Sequence, residues 1–352
     1  MALTRAQAAI WQKARSLGGG GQAVGLDDEA CNYLLGRIVL DLGLEASFPR
    51  IPKSLPPLFS SACADKLNLT GFDSRELFEG LIAARPDADT YFACLAALHK
   101  ARLKYERILS SQPMPTLEQV GPRALLQYGK LSSRALRSFL FWRKWFYDID
   151  GRAGQETGYL FEPVIAYAIG GTPAPATKSP VKRHRDRNKG RQVDCIIEKR
   201  AYEIKIRVTI AASGQGRWQE ELDFPIDCQR SGFIPVLVCL DATQDEKLDA
   251  LAAAFRREGG ETYIGDDAWS HLEASAGPTM TIFLERYVRG PLQAMLREAG
   301  GELLELRALS REGRIEIALG DEVLQIDRAP EDADQNGPDA MPDDADDIIP
   351  GA

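Results

Sequence analysis

The sequence predicts an α/β (α+β) protein: a mixed-sheet core flanked by helices, with a helical N-terminal module before it and a small C-terminal β-meander after it. Three features of the chain predict this. Between residues 155 and 258 the patterns run helix, two-stranded hairpin, helix, apolar strand, helix, an order that feeds one sheet. Residues 1–120 show helical periodicity in stretches rich in Ala and Leu. Residues 302–327 hold three short alternating runs, broken at Arg311-Glu312-Gly313 and at Gly320-Asp321.

Residues 1–16 read as a helix that ends in the flexible break Gly18-Gly19-Gly20-Gly21. Asp27, Asp28 and Glu29 then precede the periodic run 31–40, and acids there suit a helix N-terminus. Pro49, Pro52, Pro56 and Pro57 make residues 48–59 a connector. Helical patterns resume at 74–84, capped by Asp73 or Ser74, and at 88–111, closed by Pro113 and Pro115. These first 120 residues carry no catalytic signature and read as a packing or dimerisation module. Residues 123–147 are dense in aromatics (Phe139, Phe141, Trp142, Trp145, Phe146, Tyr147) and bases (Arg134, Arg137, Arg143, Lys144). The aromatics go all round a helix, so most are expected in the core, with the bases as a rim.

Residues 155–169 read as a helix that starts or kinks at Pro163. The stretch 170–190 is too polar for core; from 178 to 191 it holds seven Lys/Arg against the single acid Asp186. Such a loop suits phosphates, and its arginines suit guanine edges.

Residues 191–209, RQVDCIIEKRAYEIKIRVT, hold two alternating runs around a polar joint at 198–201. In the second, Tyr202, Ile204, Ile206 and Val208 share one parity, expected inside; Glu203, Lys205, Arg207 and Thr209 share the other, expected outward. In the first, Val193, Cys195 and Ile197 oppose Asp194, Ile196 and Glu198. A two-residue turn at Lys199-Arg200 sets Asp194 across from Lys205 and Ile196 across from Glu203. Asp194, Glu203 and Lys205 then share a face, where two carboxylates and an ammonium can bind a hard divalent cation and hold an anionic substrate. Taken alone, the same residues also describe a solvated hairpin with a surface ion pair.

Beyond the hairpin, a helix is expected from about residue 216 to 230, a fully apolar strand at 233–240, a helix at 245–258 and a further short strand at Tyr263-Ile264. Residues 266–274 and 278–299 read as helices. Residues 331–352 hold eight acids and no Lys or Arg, and are expected to be disordered. The remaining chain balances 43 bases with 43 acids, so the net charge of −8 belongs to the tail and does not argue against an anionic partner. With 44% hydrophobic and 27% charged residues, the composition is that of a soluble globular protein. No apolar run of membrane length occurs, the N-terminus lacks a signal-peptide core, and six scattered cysteines suit reduced thiols; a cytoplasmic protein with no membrane partner is expected. Three distant histidines argue against His-rich zinc chemistry.

The pattern Asp194-x8-Glu203-x-Lys205 resembles the PD-(D/E)XK nuclease superfamily. Val193-Asp194 stands where that family has Pro-Asp, and Glu203-Ile204-Lys205 stands for its (D/E)XK; the lost proline and the short spacing are departures. Gly158-Tyr159-Leu160-Phe161-Glu162 matches the Gly-x-x-Phe-Glu setting of a Glu on the helix before the hairpin. The wider phrase VDCIIEKRAYEIKIRVTIAASGQGRWQEEL is similar to type II restriction endonucleases of the ApaLI-like group. The resemblance covers about residues 150–265 and implies a restriction-endonuclease-like core. It implies Mg²⁺ held by Asp194, Glu203 and the Ile204 carbonyl, with Glu162 as a third carboxylate (Glu156 as the alternative), and Lys205 positioning or activating water. It further implies a homodimer cutting both strands of a palindromic double-stranded DNA, because protein and site share a two-fold axis. Lys182, Arg183, Arg185, Arg187, Lys189 and Arg191 of the basic loop, with Gln215 and Arg217 of the next helix, would contact DNA. A cognate DNA methyltransferase is expected in the same system, not as a stable subunit. The organisation predicted is a helical module at 1–120, the nuclease core with its basic loop at 121–300, the meander at 301–330 and the tail. Two readings compete. A repair or recombination nuclease would favour a fused motor, and no Gly-x-x-x-x-Gly-Lys-Ser/Thr loop is present. A non-catalytic DNA-binding protein would not require the intact Asp194, Glu203 and Lys205.

Overall fold

The computed structural model describes residues 3–18, 22–59, 64–206, 215–243, 245–298 and 301–329. The expectations for Gly19, Gly20 and Gly21, for Cys63, for Arg207, Val208 and Thr209, and for residues 331–352 lie outside the described residues, as do the side chains of Gln215 and Arg217.

Four helices come first: α1 (Arg5–Arg15), α2 (Asp28–Asp41), α3 (Ser74–Ala84) and α4 (Ala88–Ser111). Thr4 and Gln7 close a capping box on α1, Asp27 caps α2 through the Ala30 amide, and Asp73 caps α3 through Arg75 and Glu76. Trp11 of α1 stacks on Phe78 and Phe92 at 5.3 and 5.8 Å, locking α1 to α3 and α4. A short α5 (Leu117–Val120) and a 3-10 turn (Gly121–Leu126) lead into α6 (Ser133–Ala168), one helix of 36 residues. The helix expected from residue 155 is thus only its second half, and Pro163 lies within it rather than starting it. Of the aromatics expected in the core, Trp145 alone is fully buried, whereas Phe139 and Tyr147 are exposed. Trp142 and Phe146 pack half-buried beside Trp145 on the C-terminal strands, so the apolar layer there covers one side of the helix and leaves Phe139 and Tyr147 outside it.

The sheet comprises β1 (Thr172–Ala174), β2 (Val193–Ile197), β3 (Arg200–Lys205), β4 (Ile234–Cys239) and β5 (Glu261–Ile264), in that spatial order. β1, β2 and β3 pair antiparallel, and β3, β4 and β5 pair parallel. The connections run through α7 (Gln215–Arg230) and α8 (Glu246–Arg257). Alternation along β4 shows how the sheet is covered. Val236 and Val238 join the main core with α2, α3, α4, α6 and α9 (Asp266–Leu284), while Leu237 and Cys239 join Phe224, Leu251 and Phe255 of α7 and α8. The Glu203 and Lys205 face, expected outward, is therefore roofed by α7 and α8. Val193, expected with Cys195, packs in this second cluster instead.

The hairpin register also differs from expectation. The turn is Glu198-Lys199, with Glu198 at φ 51°, and the pairs are Ile197 with Arg200, Ile196 with Ala201 and Cys195 with Tyr202. Arg200 is already a strand residue because it pairs with Ile234 of β4, so the joint closes one residue earlier. Continued, this register sets Asp194 across from Glu203 rather than Lys205. A slip of two residues preserves faces, so Asp194, Glu203 and Lys205 remain together.

α9 breaks at Gly277 (φ 70°) and passes through a π-helical turn (Glu285–Arg289) into α10 (Gly290–Arg297). That turn aims Tyr287 and Arg286 at the buried carboxylate of Asp41, which also takes Arg37 at 3.0 Å and the Tyr91 hydroxyl at 3.0 Å. The meander β6 (Leu306–Arg311), β7 (Arg314–Leu319) and β8 (Glu322–Asp327) seats Ile315, Ile317 and Ile326 on Trp145. The five described cysteines are buried and unpaired, as expected of reduced thiols. Among the described residues no helix is long and apolar enough to cross a membrane.

Candidate active site

Four elements, β2, β3, α6 and α7, meet where β2 and β3 part. The last antiparallel pair is Cys195 with Tyr202; beyond it the Asp194 carboxylate accepts from the Ile204 amide at 2.8 Å, standing in for a ladder carbonyl. This aims Asp194 into the gap beside Glu203 and Lys205. The Lys205 ammonium donates to Glu203 at 2.7 Å and lies 2.8–2.9 Å from both oxygens of Glu221, on α7. All three side chains keep only 18–21% of their accessible surface. Glu162 of α6 completes the group: its charge is felt by Asp194, and it feels Glu203, Lys205 and Glu221 in turn. A Cβ built on Gly158 would stand 3.3 Å from Glu162 Oε1, so the glycine leaves this carboxylate its place one turn on. Glu156, the alternative, is taken by Lys104 of α4 at 2.9 Å.

Four carboxylates around one ammonium leave excess negative charge in a half-buried pocket, and the acidities follow. Burial, then Glu203 and Glu162, push Asp194 well above the usual carboxylate range, against the Ile204 amide and Lys205. Burial, then Glu203, lifts Glu162 to about 7, with Lys205 opposing. Glu221 is raised by burial and Glu203. Burial alone would lower Lys205, but Glu203 and Glu221 outweigh it and hold the ammonium above its ordinary pKa.

Among the described residues no three His, Cys, Asp or Glu side chains form a closed coordination group. Glu203 and Glu221 are instead drawn onto Lys205. The donor chemistry nevertheless suits a hard divalent cation: carboxylate oxygens, a main-chain carbonyl at Ile204, and surplus negative charge that such an ion would neutralise.

The basic loop lies against α7, with Arg191 near enough to the pocket for Glu221 to feel its charge. Arg183 pairs with Glu220 at 2.8 Å and Arg185 with Asp223 at 3.0 Å. The nearly buried Arg191 lies 3.4 Å from Asp227 and over the Phe224 ring. Asp227 also accepts from the His184 amide and contacts its Nδ1, at 2.6 and 2.7 Å. Lys182 donates to the Ser179 carbonyl, Lys189 reaches Asp186 at 3.5 Å, and Arg187 is exposed. Sequence reasoning missed Glu221 and these α7 partners. The available signal was the acidic stripe Glu220, Asp223, Asp227 at helical spacing, with Glu221 about 100° away on the helix that follows Lys205.

The profile of the ApaLI-like restriction endonuclease family matches residues 65–289, a span that includes every residue of this pocket. The chain belongs to that family. It is similar to the type II restriction enzyme ApaLI of Acetobacter pasteurianus, with 52% identity over 233 residues. That match takes in 64% of this chain and 62% of the relative's length. No solved structure matches. In ApaLI-like terms the matched span runs from just before α3 to the end of the π-helical turn, leaving the meander outside it.

Proposed function

We propose that the protein is a type II restriction endonuclease that makes Mg²⁺-dependent, sequence-specific double-strand breaks in DNA by phosphodiester hydrolysis, acting as a homodimer in the cytoplasm beside a cognate DNA methyltransferase. The observation that carries this reading is the convergence of Glu162, Asp194, Glu203 and Lys205 at the fork of β2 and β3, within a chain of the ApaLI-like family. Asp194, Glu203, Glu162 and the Ile204 carbonyl would hold Mg²⁺, which when bound supplies Lewis-acid stabilisation of charge on the phosphate and leaving oxygen.

The chain's own groups do the rest. Lys205, whose ammonium donates to Glu203 and Glu221, orients or activates the attacking water and faces the charge that grows on the phosphate. Glu221 restricts where that ammonium can point. The roof of α7 and α8 keeps the pocket half dry, which strengthens each of these interactions. Arg187 and Lys189, exposed at the tip of the basic loop, would reach DNA first, and Arg183, Arg185 and Arg191 hold that loop to α7.

The test is cleavage of a mixed-sequence plasmid with Mg²⁺, with EDTA, and with Asp194→Ala or Lys205→Ala protein. Discrete fragments that vanish with EDTA and in both variants are expected. Smeared products would move the reading to a non-specific nuclease, and binding without cutting under every divalent metal would end the enzyme reading.

A further inference from the structure

We propose that residues 121–147 form an arm that grips the phosphate backbone of duplex DNA about one helical turn from the candidate active site. This rests on the nuclease reading above and adds a surface which that reading does not contain.

The arm comprises the 3-10 turn after α5, the following loop and the first part of α6. It contains six bases (Arg123, Lys130, Arg134, Arg137, Arg143, Lys144) and no acid. Five of them are exposed, and only Lys144 meets an acid, Asp148 one turn along the helix. Arg123 donates to the Gln119 carbonyl, and Arg143 reaches Gln127 at 3.4 Å and lies over Phe139, so neither charge is neutralised. Among the described residues Lys130, Arg134 and Arg137 make no ion pair. The contrast with the basic loop is instructive. There the sequence shows the denser run of charge, yet α7 has matched three of its arginines with carboxylates. Here the charge is thinner along the chain but unopposed in space, and an unopposed cationic surface is what a polyanion recognises.

The geometry ties the arm to the site. Arg137 and Glu162 stand on the same unbroken helix, about 25 residues and so about 37 Å apart. At 100° per residue they fall within about 20° of the same side of α6. A duplex rises 3.4 Å per base pair, so DNA laid along α6 with one strand at Glu162 would reach the arm after about 11 base pairs, when the same strand again faces the protein. Leu125, Leu126 and Leu131 are exposed beside the bases and would also suit a second copy of the chain. A two-fold contact through this face would, however, set like charges against each other, which favours DNA as the occupant.

The test is the full chain against its Arg134→Gln/Arg137→Gln variant. Both side chains are exposed, so an unchanged thermal midpoint is expected to show an intact fold. Binding to a mixed-sequence duplex of about 40 base pairs is followed by fluorescence anisotropy in EDTA across a salt series. Loss of two phosphate contacts makes the slope of log K against log salt shallower by about 2 and weakens binding about 30-fold at 0.15 M salt. Hydroxyl-radical footprints should lose protection about 11 base pairs from the cut in the variant only. Equal affinity and equal slope in a wild type that binds and cuts would overturn the arm and leave the nuclease reading standing. A variant that changes from dimer to monomer with its salt slope intact would assign the face to a second copy. A wild type that neither binds nor cuts DNA would remove the nuclease reading itself, and the arm with it.

Discussion

Asp227→Ala is the substitution whose consequence can be worked furthest from the structure. Asp227 is 1% exposed and is the common anchor of the basic loop, accepting from His184 at 2.6 Å and facing the Arg191 guanidinium at 3.4 Å. Arg191 retains 9% of its side-chain surface and lies on the Phe224 ring, so it cannot retreat to water without leaving the sheet's second core cluster. Removing one partner of a buried ion pair costs about 3–5 kcal/mol, because the other charge stays behind unpaired. With about 2.1 cal/mol/K of unfolding entropy per residue over this chain, about 4 kcal/mol lowers the thermal midpoint by about 5 °C. Asp227→Asn, which keeps an acceptor for the His184 amide, is expected to cost about half as much. Asp223→Ala provides the internal control: its partner Arg185 is 61% exposed, so the loss should stay within about 1 kcal/mol. Scanning calorimetry measures the midpoints, and hydrogen exchange of residues 178–191 reports whether the loop has come off α7. A midpoint within about 1 °C of wild type, with exchange in the loop unchanged, would refute the claim that Asp227 holds it.

Lys205→Met removes the ammonium shared by Glu203 and Glu221. Cleavage should be lost and the metal-free midpoint lowered. With one cation fewer among the carboxylates Mg²⁺ should bind more tightly, so at one fixed Mg²⁺ concentration the Mg²⁺-induced shift in differential scanning fluorimetry is larger than in wild type, about 2.7 kcal/mol where that concentration is about a hundred times the variant's Kd. An equal or smaller shift would count against a metal beside Lys205. Gly158→Ala should raise helix stability by about 1 kcal/mol yet reduce cleavage, because the new methyl crowds Glu162 Oε1; full activity in a stabilised variant would free Glu162 of any positional demand. Burial, then Arg102, holds the His99 imidazole down to about 4, so between pH 6.5 and 4 the unfolded chain binds a proton that the folded chain refuses. Stability is therefore whole above pH 6.5 and falls by about 3 kcal/mol as the pH drops toward 4. His99→Phe should flatten that part of a denaturation–pH profile, and an unaltered slope would assign the loss to other groups.

Much of the fold was legible because its signals are local. Apolar periodicity with the Asp73 cap set the limits of α3, periodicity closed by Pro113 and Pro115 set those of α4, and three alternating runs foretold the meander. The expected 216–230 helix and the apolar β4 also form as read. Asp194, Glu203 and Lys205 were placed on one face for a robust reason: side-chain alternation has a period of two, so a register error of two residues moves partners but not faces. The turn itself was misplaced because Glu198 adopts a left-handed conformation that its residue type does not announce. The fate of the aromatics in α6 was misread because periodicity shows which rings point together, not whether another layer is present to bury them.

What the sequence determined by itself was therefore the order of elements, the mixed sheet and the set of acids and bases that belong to the hairpin, all carried by residues within a few positions of one another. What only the tertiary structure decided was which charges are opposed. Glu221 comes to Lys205 from 16 residues away, and Asp227 reaches His184 across 43. Three of the seven bases of 178–191 are met by carboxylates of α7, whereas of the six in 121–147 only Lys144 meets an acid. Charge counts along a chain are sums over neighbours in sequence, but electrostatic energy depends on distance in space, and packing sets that distance.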